Sequence, residues 1–141
     1  MSLSKHRPSA PLHNFETVLY ADDLAAAARF YGKILGLELV QESDLFLTFR
    51  LAGSVLLVFD PQLSAESGRS VPSHGMQGEG HIAFSATDSE LEAWRSVFLD
   101  AGIAIEQIQT WPEGGRSLYV RDPAGNSVEF APQTLWARNS S

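Results

Sequence analysis

Two stretches of this chain read alike when one is laid 65 residues after the other. They are Glu16 to Asp23 (Glu-Thr-Val-Leu-Tyr-Ala-Asp-Asp) and His81 to Asp88 (His-Ile-Ala-Phe-Ser-Ala-Thr-Asp). Each opens on a side chain able to bind metal and alternates like a short strand. Each then reaches an Asp or Ser suited to cap a helix and runs through a helical stretch to Leu35-Gly36 or Ala101-Gly102. A chain with this register is expected to fold as a duplicated module.

The remaining signals fill in each copy. Asp22 and Asp23 can cap a helix through Ala25 to Leu35, whose apolar residues share one broad face, and Gly36 can end it. Strands are expected at Leu37 to Glu42, Leu45 to Leu51 and Val55 to Phe59, with Ala52 to Ser54 as a hairpin loop. The stretch from Asp60 to Gly80 is rich in Pro, Ser and Gly and reads as a linker. Its glycine-rich run after His74 leads into a strand rather than a helix N-terminus, which argues for a flexible lid or linker over a phosphate loop. The second copy should hold a strand at His81 to Ala86, a helix opened by Asp88 or Ser89 and closed near Gly102, and strands at Ile103 to Gln109, Ser117 to Arg121 and Ser127 to Ala131. Pro123 and Gly125 suit the second position and the positive-φ position of a tight turn before the last strand. The expected divisions are a flexible lead-in at 1–13, module one at 14–60, a linker at 61–79, module two at 80–132 and a tail at 133–141, with 14–132 as one domain.

Alternation places the chemistry. If Thr17 and Leu19 pack under the first helix, Glu16 points away from it; if Ile82 and Phe84 pack under the second, so does His81. Glu129 lies between Val128 and Phe130 and faces the side opposite to theirs. In a pseudo-twofold duplication the two first strands can lie side by side, bringing Glu16 and His81 close to Glu129. A carboxylate, an imidazole and a second carboxylate, gathered with no other reason to be buried together, suit a mononuclear divalent metal site. Tyr119 and Arg121 share that side of their strand and are candidates to orient an anionic or phenolic substrate. Arg50 is their counterpart on the first module, and Trp111 and Trp136 are candidate walls of an apolar pocket.

Composition narrows the function. A formal charge of −7 disfavours nucleic acid or an anionic membrane as partner, because phosphate binding needs clustered Lys and Arg. With no cysteine, any metal is held by nitrogen and oxygen. No run approaches the roughly 18 apolar residues that span a bilayer, and the N-terminus lacks a signal peptide's apolar core, so a cytoplasmic location is expected. The sequon at Asn139 carries no weight without such a signal.

Leu19 to Leu24 (Leu-Tyr-Ala-Asp-Asp-Leu), Arg29 to Leu37 (Arg-Phe-Tyr-Gly-Lys-Ile-Leu-Gly-Leu), Gly80 to Phe84 (Gly-His-Ile-Ala-Phe) and Asp122 to Phe130 (Asp-Pro-Ala-Gly-Asn-Ser-Val-Glu-Phe) together resemble the vicinal oxygen chelate superfamily of glyoxalases, extradiol dioxygenases, fosfomycin-modifying enzymes and bleomycin-resistance proteins. The resemblance covers about residues 15 to 132. It implies an α+β fold of two β-α-β-β-β modules, a curved mixed sheet around a cleft with helices outside, and a homodimer whose modules pair within or across chains. It maps the family's ligand places onto Glu16, His81 and Glu129, with Glu16 where the first histidine usually stands. The fourth place falls on Leu57, aligning Gly53 with Gly125, or on Val58, aligning Pro61 with Pro132; neither binds metal. This departs from the four-ligand lactoylglutathione lyase pattern and leaves open positions as in the dioxygenases and fosfomycin enzymes. Two carboxylates and an imidazole favour manganese or iron, with zinc, nickel or cobalt also compatible. The implied activity is metal-dependent chemistry on a small molecule with neighbouring oxygens, in which Glu16 or Glu129 doubles as base. The alternative is a metal-free binding protein resembling bleomycin-resistance proteins.

Overall fold

The computed structural model describes residues 6–137. Lys5 and the rest of the first five residues of the lead-in, and the last four residues of the tail with the Asn139 sequon, lie outside them. Module one runs β1 (Glu16–Tyr20), α1 (Leu24–Ala28) continuing into a π-helical turn (Arg29–Ile34), β2 (Glu38–Glu42), β3 (Phe46–Leu51) and β4 (Ser54–Phe59). A short helix, α2 (Pro61–Ser64), leads into the connecting segment. Module two runs β5 (His81–Ser85), α3 (Asp88–Asp100), β6 (Gln107–Thr110), β7 (Arg116–Arg121) and β8 (Ser127–Ala131), followed by a 3-10 turn (Gln133–Trp136).

The duplication is visible in the pairing. One sheet is ordered β1-β4-β3-β2 and the other β5-β8-β7-β6, each with a single parallel pair between its first and last strands. Local chemistry sets the boundaries. Asp23 caps α1 by accepting from the Ala26 amide at 3.0 Å. The cap of α3 is Thr87, one residue before the expected Asp88 or Ser89, because Thr87 and Glu90 form a reciprocal capping box. That exchange holds the Glu90 carboxyl below its usual range through bonds to the Thr87 backbone and side chain. The strand expected from Ile103 begins only at Gln107, since Ile103 and Ile105 turn their side chains toward the core instead. The expected linker contains α2, whose N-cap Asp60 accepts from Gln62 and Leu63.

Both modules drain into one apolar core. Leu19, Phe30, Phe49, Leu56 and Val58 from the first meet Ile82, Leu91, Phe98, Val120 and Phe130 from the second. Through that core runs a polar bolt. Tyr31 donates to Asp122 Oδ2 at 2.7 Å, Asn126 Nδ2 donates to the same oxygen at 2.9 Å, and the Ala124 and Asn126 amides donate to Oδ1. Asn126 also accepts from the Gly80 amide at 2.7 Å and donates to the Tyr20 carbonyl at 3.2 Å, so one side chain ties β1 to the entrance of β5. Gly80 makes this approach possible: a Cβ there would stand 3.2 Å from Asn126 Oδ1 and 3.3 Å from Leu19. Among the described residues no helix is long and apolar enough to cross a membrane.

Replacing Asn126 with Ala leaves the Gly80 amide and Tyr20 carbonyl without partners, and is expected to lower the unfolding free energy by about 3 kcal/mol in urea titrations. Burial, the Asp122 charge and their hydrogen bond push the Tyr31 hydroxyl far above the usual tyrosine value. The folded chain thus holds this proton more tightly than the unfolded one; the contribution is intact below about pH 10 and is lost as pH rises beyond it. Tyr31→Phe should cost about 1 kcal/mol at neutral pH and flatten the alkaline fall in stability, which unfolding curves between about pH 7 and pH 11 would show.

Candidate functional site

The parallel β5–β8 pair sets Ala83 opposite Glu129 and His81 opposite Ser127. Alternation then turns His81 and Glu129 onto the sheet face away from the helices, one step apart, while Ile82, Val128 and Phe130 enter the core. His81 Nε2 and Glu129 Oε1 are 3.2 Å apart. His81 Nδ1 lies 3.2 Å from the Ser127 carbonyl, which can only accept, so Nδ1 carries the hydrogen. Tyr119, opposite Glu129 on β7, donates to Glu129 Oε2 at 3.0 Å. Burial and the Glu129 carboxylate raise the Tyr119 hydroxyl above its ordinary value, keeping it a donor.

The result is a carboxylate with one oxygen occupied and the other aimed at an imidazole nitrogen. In a neutral imidazole whose Nδ1 holds the hydrogen, Nε2 presents a lone pair, and a carboxylate also offers only lone pairs. Two such atoms at 3.2 Å need a cation between them, either a proton or a metal ion. Glu129 is buried while the His81 side chain is 51% exposed, so the pair opens outward. The donor set fits a divalent metal.

Glu16 does not join them within the chain. β1 pairs only with β4 and β5 only with β8, and among the described residues no group of three His, Cys, Asp or Glu side chains forms that could hold a metal. Asn126 ties the two strands without their pairing, and the expected gathering of Glu16 with His81 and Glu129 does not occur within the single chain. The register does decide the fourth place. Val18 pairs with Leu57 as Ala83 pairs with Glu129, so Leu57 is Glu129's counterpart on the open face, and Val58 is core.

Arg50 and Arg121 occupy matching places and are both tied down. Arg50 pairs with Glu38 at 3.1 Å; Arg121 bonds Glu106 through two nitrogens, Glu79 at 3.2 Å and the Gly125 carbonyl. The hydrogen bond between Arg121 and Glu106 raises the first and lowers the second. Trp111 is half-buried with its indole donating to Ser117 Oγ at 2.8 Å, and Trp136 is exposed. A cavity of about 490 Å³ lies elsewhere, between the end of β1, the start of α2, residues 76–79 and the β7–β8 turn. His74, read from sequence only as part of a linker, bonds Tyr20 at 2.7 Å. Tyr20 shares the alternation phase of Glu16 and so lies on the open face, but no short-range signal ties it to His74.

Residues 14–130 match the family model described as Glyoxalase/Bleomycin resistance protein/Dioxygenase superfamily. The chain belongs to this superfamily. The crystal structure of lactoylglutathione lyase from Agrobacterium tumefaciens is similar over 94% of this chain and 100% of that one, with 41% identity and a TM-score of 0.85. A glyoxalase/bleomycin resistance protein/dioxygenase from Nocardioides shares the fold at 23% identity and a TM-score of 0.73, over 98% of this chain and 93% of that one. Metallothiol transferase FosB from Shouchella clausii is 39% identical over 67 residues, a match that spans 44% of this chain and 44% of that relative's length. Within the superfamily fold, the open faces of the two sheets here differ sharply: Tyr119 and Glu129 on one correspond to Thr48 and Leu57 on the other.

Long-range 1H–15N NMR should find the His81 proton on Nδ1 both before and after zinc is added, with any proton shared with Glu129 at Nε2 displaced by the ion. A His81 tautomer bearing hydrogen on Nε2 alone would contradict the bond to Ser127.

Proposed function

We propose that this chain is a cytoplasmic, divalent-metal-dependent enzyme of the glyoxalase or dioxygenase type, acting on a small molecule with vicinal oxygens. The observation that carries this reading is the His81–Glu129 pair, 3.2 Å apart with the second Glu129 oxygen held by Tyr119. His81 and Glu129 would bind the ion, with Glu16 as third ligand; the metal would be iron, manganese, zinc, nickel or cobalt. A bound ion supplies Lewis-acid stabilisation of the negative charge that develops on the substrate's adjacent oxygens.

The chain's own groups supply the rest. Tyr119, kept protonated, orients Glu129 and restrains it from rotating away from His81. The Ser127 carbonyl fixes the imidazole ring. Glu16 is exposed and is the freer carboxylate, which suits it to move a proton between substrate atoms. Trp111, Arg50 and Arg121 border the open faces as candidate substrate contacts, the two arginines only on giving up part of their present ion pairs.

The third ligand calls for a second copy. β1 and β5 are each the edge strand of their sheet, and exposed Leu12 and Phe15 flank β1. In a twofold homodimer these edges can meet across chains, so that Glu16 of one copy faces His81 and Glu129 of the other, twice over. Each domain in this arrangement spans 14–132.

Wild type purified without chelator is expected to carry near-stoichiometric metal by elemental mass spectrometry, and Glu16→Ala, His81→Ala and Glu129→Ala to lose it. Dissociating and reassociating a mixture of Glu16→Ala and Glu129→Ala should restore about a quarter of the sites, because half the dimers are mixed and each mixed dimer has one intact site. No restoration would place each site within one chain. Wild type that stays empty after loading with divalent ions would leave the metal-free binding protein. Tyr119→Phe should weaken metal binding by about tenfold to a hundredfold in competition titrations.

A further inference from the structure

The open face of the first sheet carries a second group of aromatic and polar side chains. Tyr20 pairs with Phe59 on β4, and Phe59 pairs with Phe46 on β3, so the three form one row across the sheet. They share the alternation phase of Glu16 and stand four residues along β1 from it, about 13 Å at the rise of a strand. The Phe46 and Phe59 rings stack at 5.0 Å.

The connecting segment bends back over this row and is fastened there. The Ser64 carbonyl at the end of α2 accepts from both the His74 amide, at 3.0 Å, and Arg69 Nη1, at 2.9 Å. Gly75 lies so close to α2 that a Cβ would come within 2.9 Å of the Pro61 carbonyl. These bonds hold the His74 ring edge-on to Phe59 at 4.6 Å and the Arg69 guanidinium 5.9 Å from the centroid of the same ring. His74 Nδ1 shares a hydrogen with the Tyr20 hydroxyl at 2.7 Å, leaving Nε2 turned elsewhere.

Arg69, in the connecting segment, differs from the arginines of the two sheets. Arg50, Arg116 and Arg121 are each neutralised by carboxylates, whereas Arg69 pairs with no carboxylate among the described residues and is half-buried over an aromatic ring. A guanidinium has five N–H donors, and one of them is used by Ser64. In a chain of formal net charge −7, a positioned guanidinium with no carboxylate partner has the chemistry to receive a negative group.

We propose that Arg69, held over the buried Phe59 ring, with Phe46 and the His74–Tyr20 pair beside it, forms a subsite for a planar anionic group of the substrate, a carboxylate above all, at the opposite end of the open face from Glu16. The inference rests on reading the open faces as the substrate cleft. It makes the substrate an elongated molecule: adjacent oxygens at the His81–Glu129 end, an anionic end-group at Arg69. Arg69 and His74 then act as specificity-determining binding residues, supplied by the segment between the modules.

Benzoate and its neutral isostere benzamide separate charge recognition from stacking, and phenylphosphonate separates a carboxylate from a phosphoryl group. With each titrated into the wild-type protein, the His74 imidazole resonances should shift saturably with benzoate, and benzamide should bind at least about tenfold more weakly, the loss of a charge-assisted contact. Arg69→Gln should abolish the preference, and Arg69→Lys should retain part of it. If phenylphosphonate binds more tightly than benzoate, the carboxylate assignment is overturned. Equal binding of benzoate and benzamide, or an undiminished preference in Arg69→Gln, would overturn the subsite itself; the wild-type comparison decides even if Arg69→Gln fails to fold. His81→Ala provides the separation from the metal reading, because benzoate binding should survive there while metal is lost.

Discussion

The Asp122 carboxylate is the joint on which this architecture turns. It sits where two modules meet, buried, and receives hydrogen bonds from Tyr31 of the first helix, from the Asn126 side chain and from two amides of its own turn. A buried carboxylate lacking those donors would cost several kcal/mol, so the turn conformation, the helix position and the module packing are selected together. Among the described residues no buried side-chain nitrogen or oxygen is left without a partner. Asn126 extends the joint to Gly80 and Tyr20, so β1 and β5 inherit their relative placement from one loop. Each of those strands begins with a candidate ligand.

Two copies of one module have taken on different surfaces around this shared frame. The helix-facing sides remain apolar in both, because each must cover the common core. The open faces are freed from that demand. At equivalent pairing positions, module two presents Tyr119 and Glu129 and module one presents Thr48 and Leu57. The arginines keep the same arrangement in both, Arg50 with Glu38 and Arg121 with Glu106, where an inner strand meets its outer neighbour. Asymmetry between the faces thus concentrates the polar chemistry of each chain on one sheet and leaves the other to offer Glu16, an aromatic row and a fastened cation.

Much of the frame was legible in the residues. The caps and stops at Asp23, Gly36 and Gly102, the turn at Asp122 to Asn126 and the strand phases around His81 and Glu129 follow from rules acting over a few residues, and the structure has them. The α2 turn carries a local signal, Asp60 as cap with Pro61 in the first turn, which the Pro- and Gly-rich composition of the segment masked. The late start of β6 was not legible, because it depends on where Ile103 and Ile105 find the core. His74 illustrates the same limit. A histidine in a Pro- and Gly-rich segment looks like part of a linker, and only the fold shows it against Tyr20 and Phe59, 54 residues from its hydrogen-bonding partner.

By itself the sequence determined the duplicated module, that the ligands these residues offer are nitrogen and oxygen, and the faces on which Glu16, His81, Glu129 and Tyr119 lie, since strand alternation is a local property of the backbone. Only the tertiary structure decided that His81 and Glu129 meet at 3.2 Å under Tyr119, that Leu57 rather than Val58 stands opposite in the duplication, and that Glu16 stays apart from them within the chain. Those outcomes depend on strand register and on the packing of one module against the other. Contacts far apart in sequence set both, and no short-range pattern encodes them.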